Sequence, residues 1–166
     1  MGQPWSVWLL PDKTDGTNLQ TLVEGCCARF GSHSFDPHVT LFGRVDNGPK
    51  STFSVFENLY QNHSPFSLGV GSVQTGEPPW KSLFLQLAKS DSLLQLQSEI
   101  DGFLKRYRNY DFDPHLSLAY GKSKLDQTEI ENITFPDSIR FSSLALVETP
   151  DDISSWKQLQ IINLGD

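Results

Sequence analysis

The spacing of apolar residues divides the chain into strand-like and helix-like segments. Trp5–Leu10 is a short apolar run that predicts a β-strand, and Pro11 with the polar residues after it ends the run. Across Leu19–Phe30 apolar residues recur every three or four positions, which predicts a helix with Gly31 as its C-terminal cap. Phe35–Phe42 alternates apolar and polar positions, as a strand with one buried face does.

The same patterns continue to the end of the chain. Ser51 is predicted to cap a second helix, and a strand over Phe66–Thr75 is followed by a break at Gly76–Pro79. The later segments are predicted as strand Trp80–Ala88, helix 93–107, strand Phe112–Leu118, helix 127–133, and strands Arg140–Glu148 and Gln158–Leu164. Interspersed helices and consecutive strands favour an α+β fold with antiparallel sheets over a doubly wound parallel sheet.

A seven-residue motif occurs twice in the chain. Phe35–Leu41 reads FDPHVTL, and Phe112–Leu118 reads FDPHLSL 77 residues later. The same offset, without a gap, also pairs upstream residues such as Arg29 with Arg106. We therefore interpret the chain as an internal duplication, and two copies are too few for a solenoid. A pseudo-twofold domain with a cleft between its halves is the architecture that this duplication predicts.

Length and charge limit what such a domain binds. We expect a single domain over residues 1–166, with internal repeats over 1–79 and 80–166. Thirteen Lys and Arg residues against twenty Asp and Glu residues give a net charge of −7, and no basic run forms a footprint for duplex DNA or long RNA. This charge does not argue against a small phosphorylated ligand.

The cysteines and the apolar runs favour a reduced, cytoplasmic setting. Cys26 and Cys27 are the only cysteines, and they are expected to be reduced, partly buried thiols of a helix. No apolar run approaches membrane length, and the N-terminus lacks a basic region followed by an apolar stretch. We expect a monomer with no membrane partner.

Each copy of the motif carries a histidine and, two residues later, a hydroxyl group. His38 is followed by Thr40 and His115 by Ser117, and residues at i and i+2 of a strand point to the same face. A pair of imidazoles can act as acid and base in one reaction, so His38 and His115 are the candidate catalytic residues. Thr40 and Ser117 are the candidate donors to nonbridging phosphate oxygens.

A metal site is the alternative use of these histidines. Asp36 and Asp113 lie on the same strand faces and could complete a zinc site, although Asp before Pro also serves strand-entry turns. His33 and His63 have no counterpart in the other half and are expected on the surface. We expect neither a metal nor a cofactor.

Phosphate recognition has no ready-made loop in this sequence. The chain contains neither a Gly-rich phosphate loop nor a Gly-x-Ser-x-Gly elbow. Binding of a phosphate would then depend on the motif hydroxyls, the imidazoles and a nearby cation such as Lys81 or Lys122.

The doubled motif resembles the two H-x-[T/S]-x signatures of the 2H phosphoesterase superfamily. Ser6–Pro11 and the ending Leu118–Tyr120 are similar to its plant and yeast cyclic phosphodiesterase branch. That branch includes enzymes that open ADP-ribose 1″,2″-cyclic phosphate, a by-product of tRNA splicing, and nucleoside 2′,3′-cyclic phosphates. The resemblance implies a bilobal fold with two antiparallel sheets lining a central cleft, helices on the outer faces, and no metal.

The resemblance also implies roles for individual residues. It assigns acid and base catalysis to His38 and His115, phosphate binding to Thr40 and Ser117, and substrate binding to Tyr120, Trp80 and Trp8. Tyr120 would face away from His115 on a regular strand, so a strand end or bulge is needed to turn it toward the ligand. Trp80 is expected at the cleft rim, where an indole face suits base stacking. Core packing is the alternative for Trp8 and Trp80.

The reaction that we hypothesise is hydrolysis of a small cyclic phosphodiester. A neutral histidine removes a proton from water while a protonated histidine gives one to the departing sugar oxygen. The initial assignment is His115 as base and His38 as acid, which the sequence does not decide. The alternatives are an RNA 2′,3′- or 2′,5′-end-processing enzyme of the same superfamily, or a non-catalytic nucleotide-binding module. The net charge weighs against a long RNA, and the two intact motifs weigh against binding alone.

Overall fold

Helices and antiparallel strands are mixed along the chain, as an α+β fold requires. The computed structural model describes residues 2–121 and 125–165. Its strands are β1 (Trp5–Pro11), β2 (Val39–Val45), β3 (Phe66–Thr75), β4 (Leu83–Leu87), β5 (His115–Ala119), β6 (Ser138–Glu148) and β7 (Lys157–Asn163). Its α-helices are α1 (Lys13–Phe30), α2 (Asp91–Leu104) and α3 (Gln127–Ile130), and 3₁₀ segments span Lys50–Gln61 and Ile153–Ser155.

The seven strands of the described residues form one antiparallel sheet that closes on itself. The strand order is β1-β2-β5-β4-β3-β6-β7, and an additional pairing of β1 with β6 completes the ring. The early residues of β6 pair with β3, and its later residues lie between β1 and β7. The predicted two sheets are therefore joined into one, because β2 meets β5 and β3 meets β6. Closure pairs strand edges that two separate sheets would leave open.

The junction between β2 and β5 brings the two motifs together. Val39 pairs with Leu116, and these residues hold the same position in the two motifs, 77 residues apart. Continuing this antiparallel register by one residue on each side places the histidine of each motif across from the hydroxyl of the other. By this extrapolation His38 would face Ser117, and Thr40 would face His115. The Cβ atoms of such neighbours are about 4.5–5.5 Å apart. The pseudo-twofold arrangement of the whole domain and its repeat boundaries stay predictions.

The long helices bury the apolar residues that their spacing identifies. Helix α1 packs against β5 and α2 packs against β2, so each helix lies against the motif strand of the other half. The buried side chains are Leu19, Val23, Cys26 and Cys27 in α1, and Leu93, Leu96, Ile100 and Leu104 in α2. Gly31 ends α1 with φ 71°, a left-handed conformation that glycine adopts without a Cβ clash, so the predicted cap is confirmed. Within the described ranges, no helix is long and apolar enough to cross a membrane.

Several predicted boundaries differ from the structure, including the start of the second motif strand, which is His115 rather than Phe112. Strand β2 begins at Val39 rather than Phe35, because the proline of the motif has no N–H to donate to a ladder. Strand β4 begins at Leu83 rather than Trp80, since the chain is still in a turn there. Ser51 caps no α-helix, because the segment around it is a 3₁₀ helix without a side-chain cap.

Candidate active site

The two motif histidines are held in the same way by the backbone. His38 Nδ1 lies 2.7 Å from the Asp36 carbonyl oxygen, and His115 Nδ1 lies 2.8 Å from the Asp113 carbonyl oxygen. A carbonyl oxygen can only accept, so each Nδ1 donates its proton and each Nε2 is left for chemistry. The Asp-Pro-His spacing thus sets the tautomer of both imidazoles through the main chain.

Both histidines line one cleft of about 310 Å³, a volume typical of small-ligand sites. The cleft contains six of the seven residues that the sequence singles out, namely His38, His115, Thr40, Tyr120, Trp80 and Trp8. Its other lining residues are Ser6, Gly43, Arg44, Lys81, Arg108, Tyr110, Thr149 and Trp156. A larger cleft of about 790 Å³ shares Trp80 and Tyr120 with it but contains neither motif histidine.

Ser117 is the predicted residue that is not part of the cleft lining. It is buried, and its hydroxyl is hydrogen-bonded with the side chain of Tyr120. Tyr120 follows Ala119, the last residue of β5, so strand parity no longer sets the direction of its ring. Its ring lines both clefts, and burial raises its pKa far above the ordinary tyrosine value. A phosphate reaching Ser117 must therefore compete with Tyr120.

Aromatic rings enclose the His38 imidazole. Trp8 stacks on it with ring centroids 3.5 Å apart and planes 6° apart, and the rings of Phe35 and Trp156 approach edge-on at 6.1 Å. Burial lowers the pKa of His38 to about 3, although the Asp36 carbonyl favours the charged form. The free protein therefore holds His38 neutral at neutral pH. Trp8 is 2% exposed and gives one ring face to His38.

His115 lies beside charged groups instead. Burial lowers its pKa most, the Asp113 carbonyl opposes that shift, and the ammonium of Lys81 lowers the pKa further. Lys81 forms an ion pair with the Asp113 carboxylate, whereas the Asp36 carboxylate of the first motif accepts from the neutral amide of Gln158 at 2.9 Å. The two imidazoles are thus equivalent in backbone contacts and different in electrostatic surroundings.

Trp156 is the centre of the aromatic cluster, and no pattern in the sequence predicts it. Its Nε1 donates to the Pro150 carbonyl at 2.8 Å. Its ring meets four rings at steep angles, those of Trp8, Phe35, His38 and Tyr120. Toward Trp80 it is nearly parallel, with planes 23° apart and centroids 6.0 Å apart. A base held about 3.5 Å from each ring needs about 7 Å between the two ring planes, so the rings must open to admit one.

Three cations line the cleft of this acidic chain. They are Arg44, Lys81 and Arg108, and local positive charge favours an anionic ligand. Arg108 donates through Nη1 to the carbonyls of Gly43 and Arg44 at 2.7 and 3.1 Å. The sequence suggests Lys81 as a nearby cation but neither arginine, and Lys122 lies outside the described residues.

Tyr110 is the remaining aromatic residue of the cleft that is missing from the prediction. Its ring packs on Phe42 with centroids 5.2 Å apart, and its hydroxyl donates to the Thr40 carbonyl at 3.4 Å. Burial raises its pKa to about 12, so it stays a phenol. It stands two residues before Phe112, and the apolar alternation leading into the second motif could have indicated it.

The other candidates named from the sequence do not form a metal site. Across residues 2–121 and 125–165, no group of three or more His, Cys, Asp or Glu side chains is arranged to hold a metal ion. His63 is buried beside the Glu99 carboxylate at 3.0 Å, so its predicted surface position is wrong, whereas His33 is exposed. Cys26 and Cys27 are free and buried, and burial raises the pKa of both thiols.

Comparisons with known sequences identify relatives over most of the chain. Residues 10–152 match the model of the family described as the 2′-5′ RNA ligase superfamily. A cyclic phosphodiesterase of Arabidopsis thaliana is 24% identical over 174 residues, which cover 97% of this chain and 95% of that protein. A putative phosphoesterase of Bacillus cereus is 28% identical over 118 residues, covering 68% and 69% of the two chains.

Solved structures share the fold at lower identity. E. coli LigT complexed with 3′-AMP superposes with a TM-score of 0.67 at 14% identity, over 99% of both chains. A crystal structure of a phosphoesterase gives a TM-score of 0.71 at 14% identity, over 99% of this chain and all of the other. At these identities the similarity concerns the fold alone.

Proposed function

The chain belongs to the 2′-5′ RNA ligase superfamily, and we propose that it is a metal-independent cyclic phosphodiesterase. Its proposed substrate is a small cyclic phosphodiester, a nucleoside 2′,3′-cyclic phosphate or ADP-ribose 1″,2″-cyclic phosphate, and its product is a phosphomonoester. The observation that carries the proposal is the matched pair His38 and His115, with both Nδ1 atoms on backbone carbonyls and both rings in one cleft. The relationship to the Arabidopsis cyclic phosphodiesterase supports the same class of reaction.

The proposed reaction uses one imidazole as base and the other as acid. Nε2 of the base takes a proton from water while the water oxygen forms a bond to phosphorus. The bond from phosphorus to one ring oxygen breaks, and that oxygen takes a proton from Nε2 of the acid. Ring opening leaves a phosphomonoester and a sugar hydroxyl. Donors to the nonbridging oxygens stabilise charge in the transition state, and the Thr40 hydroxyl is in the cleft for this task.

The electrostatic surroundings support His38 as the base and His115 as the acid, the reverse of the initial assignment. The base must be neutral before reaction, and burial among aromatic rings keeps His38 neutral. The acid must be protonated, and the negative charge of a bound phosphate raises the pKa of either imidazole. His115 is the less buried of the two, so it needs the smaller rise.

Recognition of the rest of the substrate is proposed to use the aromatic cluster. The nearly parallel rings of Trp80 and Trp156 can hold a base between them if they separate. Tyr120 lies beside both rings and can hydrogen-bond the ligand in place of Ser117. Trp8 is proposed to act mainly on the His38 imidazole, because its face is already occupied there.

The test is turnover of a panel of cyclic phosphates by pure protein, with products identified by phosphorus NMR. We expect hydrolysis that persists in EDTA, and a loss of roughly 10²–10⁴-fold in kcat/KM for His38→Ala and for His115→Ala. His33→Ala, which removes an exposed histidine, is the matched control and should keep full activity. Activity lost in EDTA and restored by zinc would contradict the metal-free reaction, and no turnover of any cyclic phosphate would contradict the function.

The same panel separates the alternatives. An RNA oligonucleotide ending in a 2′,3′-cyclic phosphate should be a poorer substrate than the mononucleotide, because the net charge of −7 repels a long polyanion. A preference for the oligonucleotide would favour an RNA-end-processing enzyme. Saturable binding of cyclic nucleotides without any turnover would favour a non-catalytic binding module.

A further inference from the structure

Arg44 has a left-handed backbone conformation, with φ of 54°. It lies near the end of β2, where Trp5 pairs with Val45 and Val7 pairs with Phe42, so β2 has one residue more than β1 between these pairs. This is a β-bulge, and the left-handed position of such bulges is commonly glycine. For a residue with a Cβ the conformation costs about 1–2 kcal/mol. Gly43, next to Arg44, does not have the left-handed conformation. Arg44 therefore adopts a conformation that glycine would adopt without strain.

Hydrogen bonds on both sides keep Arg44 in this conformation. Its N–H donates to Ser6 Oγ at 2.9 Å, and Ser6 Oγ lies 2.8 Å from Thr149 Oγ1. Ser6 and Thr149 are both buried. On the other side, the guanidinium of Arg108 donates to the carbonyls of Gly43 and Arg44. Backbone strain that neighbouring groups hold so firmly tends to occur at functional sites.

The side chain of Arg44 lines the same cleft as the two histidines. Its guanidinium carbon lies 5.4 Å from the centroid of the Trp80 ring, and Nη1 donates to the Asp151 carboxylate at 2.6 Å. The Asp151 side chain is 87% exposed. An exposed ion pair contributes only about 0–1 kcal/mol, so it does not offset the backbone strain, and an entering anion can displace it.

Arg44 stands further along β2 than the residue proposed to bind the reacting phosphate. Thr40, the proposed donor to that phosphate, is four residues earlier, which is roughly 13 Å along a strand. The guanidinium of Arg108 donates to backbone carbonyls, and Lys81 is paired with the half-buried Asp113. Of the three cations that line the cleft, Arg44 is therefore the one placed to meet a second anionic group.

We propose that Arg44 binds a second phosphoryl group of the substrate, at the 5′ position of the sugar that carries the cyclic phosphate. This inference rests on the proposed function of the site and narrows its substrate class to 5′-phosphorylated cyclic nucleotides and cyclic phosphates with a pyrophosphate at that position. The planar guanidinium can donate two parallel hydrogen bonds to a phosphate, and its cation–π contact with the Trp80 ring helps to hold it in the cleft. A lysine could not reproduce that geometry.

The experiment compares kcat/KM for adenosine 2′,3′-cyclic phosphate with and without a 5′-phosphate. The wild type should prefer the 5′-phosphorylated substrate by about ten- to a hundredfold, the usual effect of charge-assisted hydrogen bonds. In Arg44→Gln and Arg44→Gly this ratio should fall to about one, and Arg44→Lys should keep only part of it. Arg106→Gln, which changes an exposed arginine that does not line the cleft, should keep the wild-type ratio.

Unfolding in urea supplies a readout that separates binding from structure. Because glycine relieves the strain at this position, the midpoint of Arg44→Gly should equal or exceed that of the wild type, and Arg44→Ala should unfold earlier. A midpoint for Arg44→Gly clearly below the wild type would show that Arg44 is structural and would overturn the inference. The inference would also be overturned if the wild type showed no preference for the 5′-phosphorylated substrate, or if Arg44→Gln kept the wild-type preference. Turnover of both substrates without a preference would contradict the role of Arg44 but not the proposed function. Turnover of neither substrate would contradict both.

Discussion

Acidification should destabilise this protein through His38, because the fold buries that imidazole without charge. The ring is 3% exposed and is stacked on Trp8, and burial lowers its pKa to about 3. In the unfolded chain the same ring has a pKa of about 6.5. Below pH 6.5 the unfolded state binds a proton that the folded state does not, so the free energy of unfolding decreases as the pH is lowered. The contribution is fully present above about pH 7 and is lost progressively from pH 6.5 toward pH 3.

The size of the effect follows from those two pKa values. At pH 5 the unfolded imidazole is almost fully protonated and the folded one is not, which reduces the free energy of unfolding by about 2 kcal/mol relative to pH 8. His38→Asn removes the titrating group and keeps a side-chain N–H that can donate to the Asp36 carbonyl. Other groups, including His115, titrate in both proteins and cancel in the difference to a first approximation. The wild type should therefore lose about 2 kcal/mol more than the variant between pH 8 and pH 5.

Urea unfolding monitored by circular dichroism at several pH values measures this difference. His33→Asn, at an exposed histidine outside the cleft of His38, is the matched control for replacing a histidine by asparagine. A proton NMR titration of the wild type gives the folded pKa of His38 directly. Equal pH dependence of wild type and His38→Asn, or an NMR titration of His38 near pH 6.5, would refute the burial argument and with it the support for His38 as the base.

Three further predictions concern catalysis and recognition. Thr40→Ala and Ser117→Ala should each lower kcat by up to roughly 10²–10³-fold, because each removes a donor to transition-state charge; steady-state kinetics showing a change in KM alone would speak against this role. Trp80→Ala should weaken nucleotide substrates by about 1–3 kcal/mol of lost stacking and hardly affect the cyclic phosphate of catechol, and loss of the folded circular dichroism spectrum would instead identify Trp80 as a core residue. A phenol needs less protonation than a sugar hydroxyl when it leaves, so His115→Ala should lose less activity on the catechol cyclic phosphate than on a cyclic nucleotide. His38→Ala should lose activity by similar factors on both substrates. The opposite pattern would indicate that His115 is the base.

The sheet shows where prediction from periodicity ends. Apolar runs and alternating apolar positions correctly indicate strands near Trp5–Leu10, Phe66–Thr75 and Arg140–Glu148. The family resemblance implies two sheets, and the structure has one closed sheet joined by the pair of Val39 with Leu116 and by the pairing of β3 with β6. Alternation specifies which face of a strand is buried, but it carries no information about which edges meet.

The two motifs, and the geometry within each of them, can be predicted from the residues alone. A histidine after Asp-Pro donates to the carbonyl two residues back in both halves, and its hydroxyl partner is two residues further on. These are short-range relations set by bond lengths, the missing N–H of proline and the period of a strand. For the same reason Gly31 could be predicted as the cap of α1.

The surroundings of the motifs depend on how distant parts of the chain pack together. Trp156 is 118 residues from His38 in sequence, yet it packs against its ring, and together with Trp8 it helps to make the imidazole neutral. The backbone of Arg44 is left-handed because β2 has one residue more than β1 between two pairs of their ladder. That register exists only when the two strands are paired. Contacts of this kind depend on closure of the whole sheet, and desolvation depends on all the groups that closure brings together. A local pattern of apolar and polar residues specifies neither these contacts nor the extent of desolvation.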